Sequence, residues 1–193
     1  MEENYLLLRN FLSFKQATTI GNEMLEFHKK FRCNIDHDGR PYVKDFLPCL
    51  ELLCLQTPIL SELYGETLLP SASFTRIYYN GQFLKKHVDR DCCEIGITTH
   101  LIGDSGWPIW IKDKDGKDVS FELDRGDAIL YKGYKAQHWR EPYEGREYVQ
   151  VFNHYVRSRG PKNHEYFYNQ GNPNEQQGTW GKWIQRYSRW KTT

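Results

Sequence analysis

Arg146-Glu147-Tyr148-Val149-Gln150-Val151-Phe152-Asn153-His154-Tyr155-Val156 is the longest alternating stretch of the chain. Strand side chains point to opposite faces with period two, so Arg146, Tyr148, Gln150 and Phe152 fall on one face and Val149 and Val151 on the other. β-Branched and aromatic residues suit such a pleated surface. Shorter runs of the same texture precede it at residues 73–79, 94–101, 107–112, 118–123 and 127–132. Asp113-Lys114-Asp115-Gly116-Lys117 is a hairpin turn, and Arg125-Gly126 is a second turn. About seven short strands at this spacing predict a sandwich or jelly roll.

The first 70 residues read differently. Ser13 and Gln16 fit a capping box, and Ala17, Ile20, Met24, His28 and Phe31 follow at helical spacing. Residues 34–40 (NIDHDGR) read as a turn. A second apolar run over 47–63 holds Pro48, which suits a first helical turn, and Pro58, which is expected to break or kink it. The expected fold class is therefore α+β, mainly β, with N-terminal helices packed on one sheet. The expected organisation is one domain over 1–160, helical in 1–70 and a jelly-roll core in 71–160. A C-terminal extension follows over 161–193.

Composition narrows the function. With 26 basic and 25 acidic residues the net charge is +1, so nothing pulls the chain generally toward nucleic acid or anionic membranes. Cys33, Cys49, Cys54, Cys92 and Cys93 form no C-x-x-C pair, which argues against a zinc knuckle or disulfide framework. The N-terminus has no basic region followed by an apolar run, and no segment approaches membrane-spanning length. A soluble, cytoplasmic protein without a membrane partner is expected.

His87-Val88-Asp89, followed by His138, supplies the residue types of a mononuclear non-haem iron site. In an extended segment, i and i+2 point the same way, so His87 and Asp89 can reach one metal. The triplet alone is weak: seven His and eleven Asp give about 0.4 chance matches. Its context is more specific. Tyr78-x-x-Gly81 precedes it, Thr99-His100-Leu101 ends a middle strand, Gly126-Asp127 opens a strand leading to His138, and Arg146 opens the last one. Asp113-x-Asp115-Gly116-x-Asp118 also resembles the start of a calcium loop, but flanking strands favour an ordinary Asp-Gly turn.

This order resembles the 2-oxoglutarate/Fe(II)-dependent dioxygenases, in particular the prolyl-4-hydroxylase-like group, over about 85 residues of the core. The Asn10-Phe11-Leu12-Ser13 entry to the first helix is also similar to that group. The resemblance implies a double-stranded β-helix with iron held by His87, Asp89 and His138. It implies Fe(II), 2-oxoglutarate and O2 as cofactor and co-substrates, with ascorbate as an added reductant, and release of succinate and CO2. Arg146 is the expected anchor for the distal carboxylate of 2-oxoglutarate, with Tyr78 and His100 as further donors and Arg76 as a rival anchor. The Arg-x-Ser pattern frequent in the group is Arg146-Glu147-Tyr148 here, so a hydroxyl partner must come from elsewhere, with Tyr148 as the candidate. Trp139 and Arg140 line the substrate mouth or cap the strand.

Peptidyl proline is the substrate the resemblance puts first, which makes a peptide or protein the expected partner. A non-catalytic jelly-roll binding protein and a nucleic-acid dealkylase with the same iron site are the alternatives. In the tail, Trp180, Trp183, Ile184 and Tyr187 at helical spacing, with Lys182, Arg186 and Arg189 opposite, fit an amphipathic helix docked on the barrel or on a second copy. Homo-oligomerisation through this segment is the corresponding expectation.

Overall fold

The computed structural model describes residues 1–167. The tail pattern at residues 180–189 lies outside them. Two antiparallel sheets face each other. The larger contains β1 (Tyr5–Leu8), β2 (Asn34–Ile35), β3 (Pro41–Lys44), β4 (Leu68–Tyr79), β6 (Ile95–Gly103), β9 (Ala128–Tyr131) and β11 (Glu147–Arg157), in the order β1-β9-β6-β11-β4-β3-β2. The smaller contains β5 (Leu84–His87), β7 (Ile109–Lys112), β8 (Asp118–Phe121) and β10 (His138–Arg140), in the order β5-β10-β7-β8. From β4 to β11 the chain passes back and forth between the sheets, with the β7–β8 hairpin kept in the smaller one, which gives the expected double-stranded β-helix.

Helices α1 (Phe14–Phe31) and α2 (Leu47–Tyr64) cover the outer face of the larger sheet. Ser13 and Gln16 form the capping box of α1 as expected. The buried stripe of α1 is Ala17, Gly21, Met24 and Phe27, which rotates His28 and Phe31 to its edge. Gly21 is required there, because a Cβ would lie 2.8 Å from the Ile102 side chain of β6. Met24 and Phe27 pack with Val43, Ile77, Leu101, Val149 and Val151, so β11 is buried on both faces.

Three expectations are corrected. Pro58 does not break α2, which runs on to Tyr64. Pro58 and Cys54, whose carbonyl loses its helical donor, lie on the exposed face, where water can replace the bond. Residues 1–70 are not only helical: β1 pairs with β9, and the β2–β3 hairpin extends the sheet beyond β4. Residues 34–40 accordingly form a strand end and a turn closed by Asp36, whose carboxylate accepts from the Asp38 and Arg40 amides.

The 113–117 turn joins β7 to β8 as expected. Asp113 accepts from the Asp115 and Lys117 amides, and Asp118 pairs with Lys112 at 2.7 Å. These acids serve the turn. No helix among the described residues is long and apolar enough to cross a membrane.

Candidate functional site

Three side chains converge where β5 and β10 meet. The strands pair so that His87 sits opposite His138. Asp89 follows β5 by two residues, and its amide donates to the Gly133 carbonyl, which holds the loop against the barrel. The Nε2 atoms of His87 and His138 lie 3.4 and 3.6 Å from Asp89 Oδ1. One ligand atom from each residue lies within 4.8 Å of the other two.

Both imidazoles are oriented by the backbone. His87 Nδ1 lies 2.7 Å from the Lys85 carbonyl, and His138 Nδ1 lies 3.0 Å from that of Ala136. A carbonyl only accepts, so these contacts assign a proton to Nδ1, and each ring, when neutral, turns its Nε2 lone pair toward Asp89. Such a carbonyl contact on the far nitrogen is the usual way a metal-bound histidine is held. Asp89 Oδ2 is buried without a hydrogen-bond partner. Two imidazole lone pairs and a carboxylate, with no cation among the three, suit a divalent transition metal with positions left open.

The electrostatics agree. Burial pushes the Asp89 carboxyl up, but the His87 hydrogen bond and the charges of His138, His154 and His87 outweigh it, leaving the pKa at about 2. Burial lowers His138. Burial also works against charging His87, but its contacts with Asp89 and the Lys85 carbonyl raise it on balance. Asp89 is thus ionised and His138 neutral at pH 7, as metal ligation needs.

The triad opens into a cleft of about 380 Å³. Phe74, Leu84, Val88 and Phe152 form its apolar wall, and Arg76, Arg90, Cys93 and His154 also line it. His154 is buried, and desolvation lowers its pKa to about 4. Strand alternation along β11 brings it to this end of the barrel. Cys93 Sγ lies 3.7 Å from Cys92 Sγ.

The structure does not place Arg146 in the barrel. Its side chain is 89% exposed and pairs with Asp104 at 2.8 Å. The cause is local: β11 begins at Glu147, and Arg146 lies in the bend before it, with its amide bonded to Asp104 Oδ1. Alternation holds only within the strand, so the inward row starts at Tyr148.

His100 is inside, but its orientation is not the expected one. Its ring stacks on Tyr148 at 4.2 Å, and Nδ1 lies 2.8 Å from the Leu123 carbonyl. Burial lowers its pKa to about 4. The neutral ring therefore turns an Nε2 lone pair inward, where it has no hydrogen-bond partner. Tyr78 is fully buried, lines the cleft, and has no partner for its hydroxyl. Arg76 also lines the cleft and lies 3.2 Å from Asp36.

One inward residue was assigned only to the mouth or the strand end. Arg140, two residues after His138 on β10, is 1% exposed. Its Nη1 donates to the Trp107 carbonyl, and Nε and Nη2 have no partner. The signal was present in the sequence: if His138 points inward, i+2 on the same strand does too. Trp139 points outward, stacked on Trp110 at 5.9 Å and under Lys86 Nζ at 3.7 Å.

No protein-family model and no curated protein sequence matches the chain. Solved structures do. A prolyl-4-hydroxylase from Pseudomonas putida shares 16% identity at a TM-score of 0.68, over 82% of this chain and 94% of that one. The epimerase SnoN of nogalamycin biosynthesis, in complex with Fe3+, alpha-ketoglutarate and nogalamycin RO, shares 11% identity at a TM-score of 0.69, over 81% and 80%. The viral collagen prolyl hydroxylase of Paramecium bursaria Chlorella virus-1, in its 2-oxoglutarate complex, shares 14% at a TM-score of 0.60, over 79% and 94%. Likeness at these identities establishes the fold: the chain has the architecture of 2-oxoglutarate/Fe(II) oxygenases, and a His-x-Asp…His cluster stands in its barrel.

Proposed function

We propose that the protein is an Fe(II)- and 2-oxoglutarate-dependent dioxygenase that hydroxylates a C–H bond. The observation that carries this reading is the convergence of His87, Asp89 and His138 on one point, with both imidazole lone pairs fixed toward it. These three residues would hold the iron. When bound, iron supplies dioxygen activation coupled to decarboxylation of the 2-oxo acid to succinate and CO2. The chain orients the ligands through the Lys85 and Ala136 carbonyls, keeps Asp89 ionised, and lines the cleft with Phe74, Phe152, Leu84 and Val88, which limit water beside the target bond.

The substrate class we put first is a proline-bearing peptide. Its support is the likeness to two prolyl hydroxylase structures and a cleft whose wall is apolar enough to take a pyrrolidine ring. A small acidic substrate is the second reading, because Arg76 and Arg90 line the same cleft. Basic residues beside aromatic ones, which would suit the nucleic-acid alternative, occur at 180–189, outside the described residues.

The test is production of succinate from 2-oxoglutarate by the Fe(II)-loaded protein, first alone and then with proline-containing peptides. Wild-type turnover that persists in Asp89→Ala would sink the iron assignment. Turnover that proline peptides leave unchanged, but small carboxylic acids stimulate, would move the substrate to the second reading.

A further inference from the structure

Behind the triad, the barrel interior is filled by an aromatic cluster. Tyr78, Trp107, Tyr143 and Tyr148 belong to it, and Arg140 lies among them. The guanidinium carbon is 4.6 Å from the Trp107 ring centre and 5.3 Å from that of Tyr148. Burial lowers its pKa, against the opposing pull of the Tyr148 and Tyr78 phenols. No carboxylate pairs with it among the described residues, whereas Arg9, Arg40, Arg76, Arg146 and Arg157 each have one.

That arrangement is costly by itself. Arginine stays protonated in proteins, and a buried, unpaired charge costs several kcal/mol. The neighbouring donors are also unspent: Arg140 Nε and Nη2, Tyr78 Oη and Tyr148 Oη have no hydrogen-bond partner. A planar fork flanked by two phenol hydroxyls matches a carboxylate, which accepts at both oxygens. Water would satisfy single donors but would leave the charge unbalanced.

Position fixes which carboxylate. His138 and Arg140 point inward from one strand, i and i+2, so their side chains start about 6.6 Å apart. An extended five-carbon chain spans about 5 Å between its end carbons at 1.5 Å per bond. A molecule chelating a metal at His138 through one end would bring its other end to Arg140. Tyr78 lines the cleft and belongs to the aromatic cluster, so the cluster borders the cleft. Tyr143, bonded to Asp104 at 2.8 Å, backs the cluster.

We propose that Arg140, flanked by Tyr78 and Tyr148, anchors the distal carboxylate of a 2-oxo dicarboxylate held at the triad. This rests on the iron/2-oxo-acid reading above. His100 supports the anchor as a positioning residue by stacking on Tyr148. Arg146 has no part in it.

The experiment is calorimetric titration of the anaerobic Fe(II) protein with 2-oxoglutarate and with 2-oxobutyrate, which has the chelating end but no distal carboxylate. Wild type should prefer 2-oxoglutarate by about 100-fold, the scale of two charge-assisted hydrogen bonds. Arg140→Gln should reduce the preference to within about fivefold while 2-oxobutyrate affinity stays put. Arg140→Lys keeps the charge without the fork and should fall between. Tyr148→Phe, which removes one oxygen atom, provides a variant in which folding is not at stake and should lose part of the preference. If wild type binds neither acid, the iron/2-oxo-acid reading fails and the anchor falls with it. If wild type shows the preference and Arg140→Gln retains it, the anchor alone is overturned; loss of preference in Arg76→Gln would then identify the replacement.

Discussion

The two ends of the barrel interior are both lined with unpartnered buried polar atoms, but of opposite character. At the triad the unpartnered atom is an acceptor, Asp89 Oδ2, beside two imidazoles whose Nε2 atoms face Asp89 Oδ1. In the aromatic cluster they are mostly donors: Nε and Nη2 of Arg140 and the hydroxyls of Tyr78 and Tyr148. A fold that left such groups unsatisfied for no purpose would lose stability at each one. The difference teaches that the interior is built as two sites, one shaped for a cation and one for an anion, a strand step apart on β10.

The largest expected effect breaks the cation end. Asp89→Ala removes the only carboxylate of the cluster and should abolish iron-dependent succinate formation. Metal titration of the same variant should show affinity lower by about two orders of magnitude or more, since losing a direct ligand exceeds the 10–100-fold loss seen for groups that only support one. The barrel itself should survive, because Asp89 lies on a loop beyond β5. Wild-type metal affinity in this variant would remove the contrast altogether.

The cation end was legible in sequence and the anion end was not, for a physical reason. His87 and Asp89 are near neighbours, and i, i+2 geometry needs only one extended segment. His138 could be placed because the strands on either side of it were marked by alternation and Gly turns. The anchor depended on where one strand begins. Arg146 looks in phase with Tyr148 and Gln150, but the strand starts one residue later and the Asp104 carboxylate holds the bend outward. Arg140 sits on a three-residue strand, too short to show a period, and its register against β5 is interrupted between His138 and Arg140. Counting two residues inward from a proposed ligand would have found it. In the helical part, Pro58 misled because propensity rules do not see which face of a helix meets water.

A pH experiment probes the aromatic cluster next. His100 has a pKa of about 4 when folded against an ordinary 6.5, because burial disfavours its charged form. The unfolded chain therefore takes up this proton first as pH falls. Stability from this group is complete above pH 6.5 and is lost progressively down to pH 4, on the order of 3 kcal/mol in all. Chemical denaturation of wild type and His100→Gln across this range should show the variant losing less stability per pH unit. Parallel slopes would mean that the imidazole is not held neutral beside Arg140 and Tyr148.

Tyr148→Phe should separate folding from binding. It deletes a buried hydroxyl without a partner, so the ligand-free protein should be unchanged or more stable by up to about 1 kcal/mol. The same hydroxyl is a proposed donor to the distal carboxylate, so half-saturation by 2-oxoglutarate should rise about five- to tenfold. Opposite signs on the two readouts are the expected outcome. A loss of stability with unchanged half-saturation would make Tyr148 a packing residue only.

Arg146→Gln should have the smallest effect, and it separates the two arginines. Its guanidinium is exposed and its partner Asp104 also accepts from the backbone of 146 and from Tyr143, so the bend keeps most of its hydrogen bonds without it. Exposed pairs of this kind contribute little and weaken further with salt. Half-saturation by 2-oxoglutarate should therefore stay within about twofold of wild type, a difference too small for loss of an anchoring ion pair. A large increase would place Arg146 at the co-substrate after all, requiring the bend before β11 to turn inward on binding. It would also leave Arg140 as a buried charge with no assigned counter-ion, so this one titration ranks the two arginines against each other.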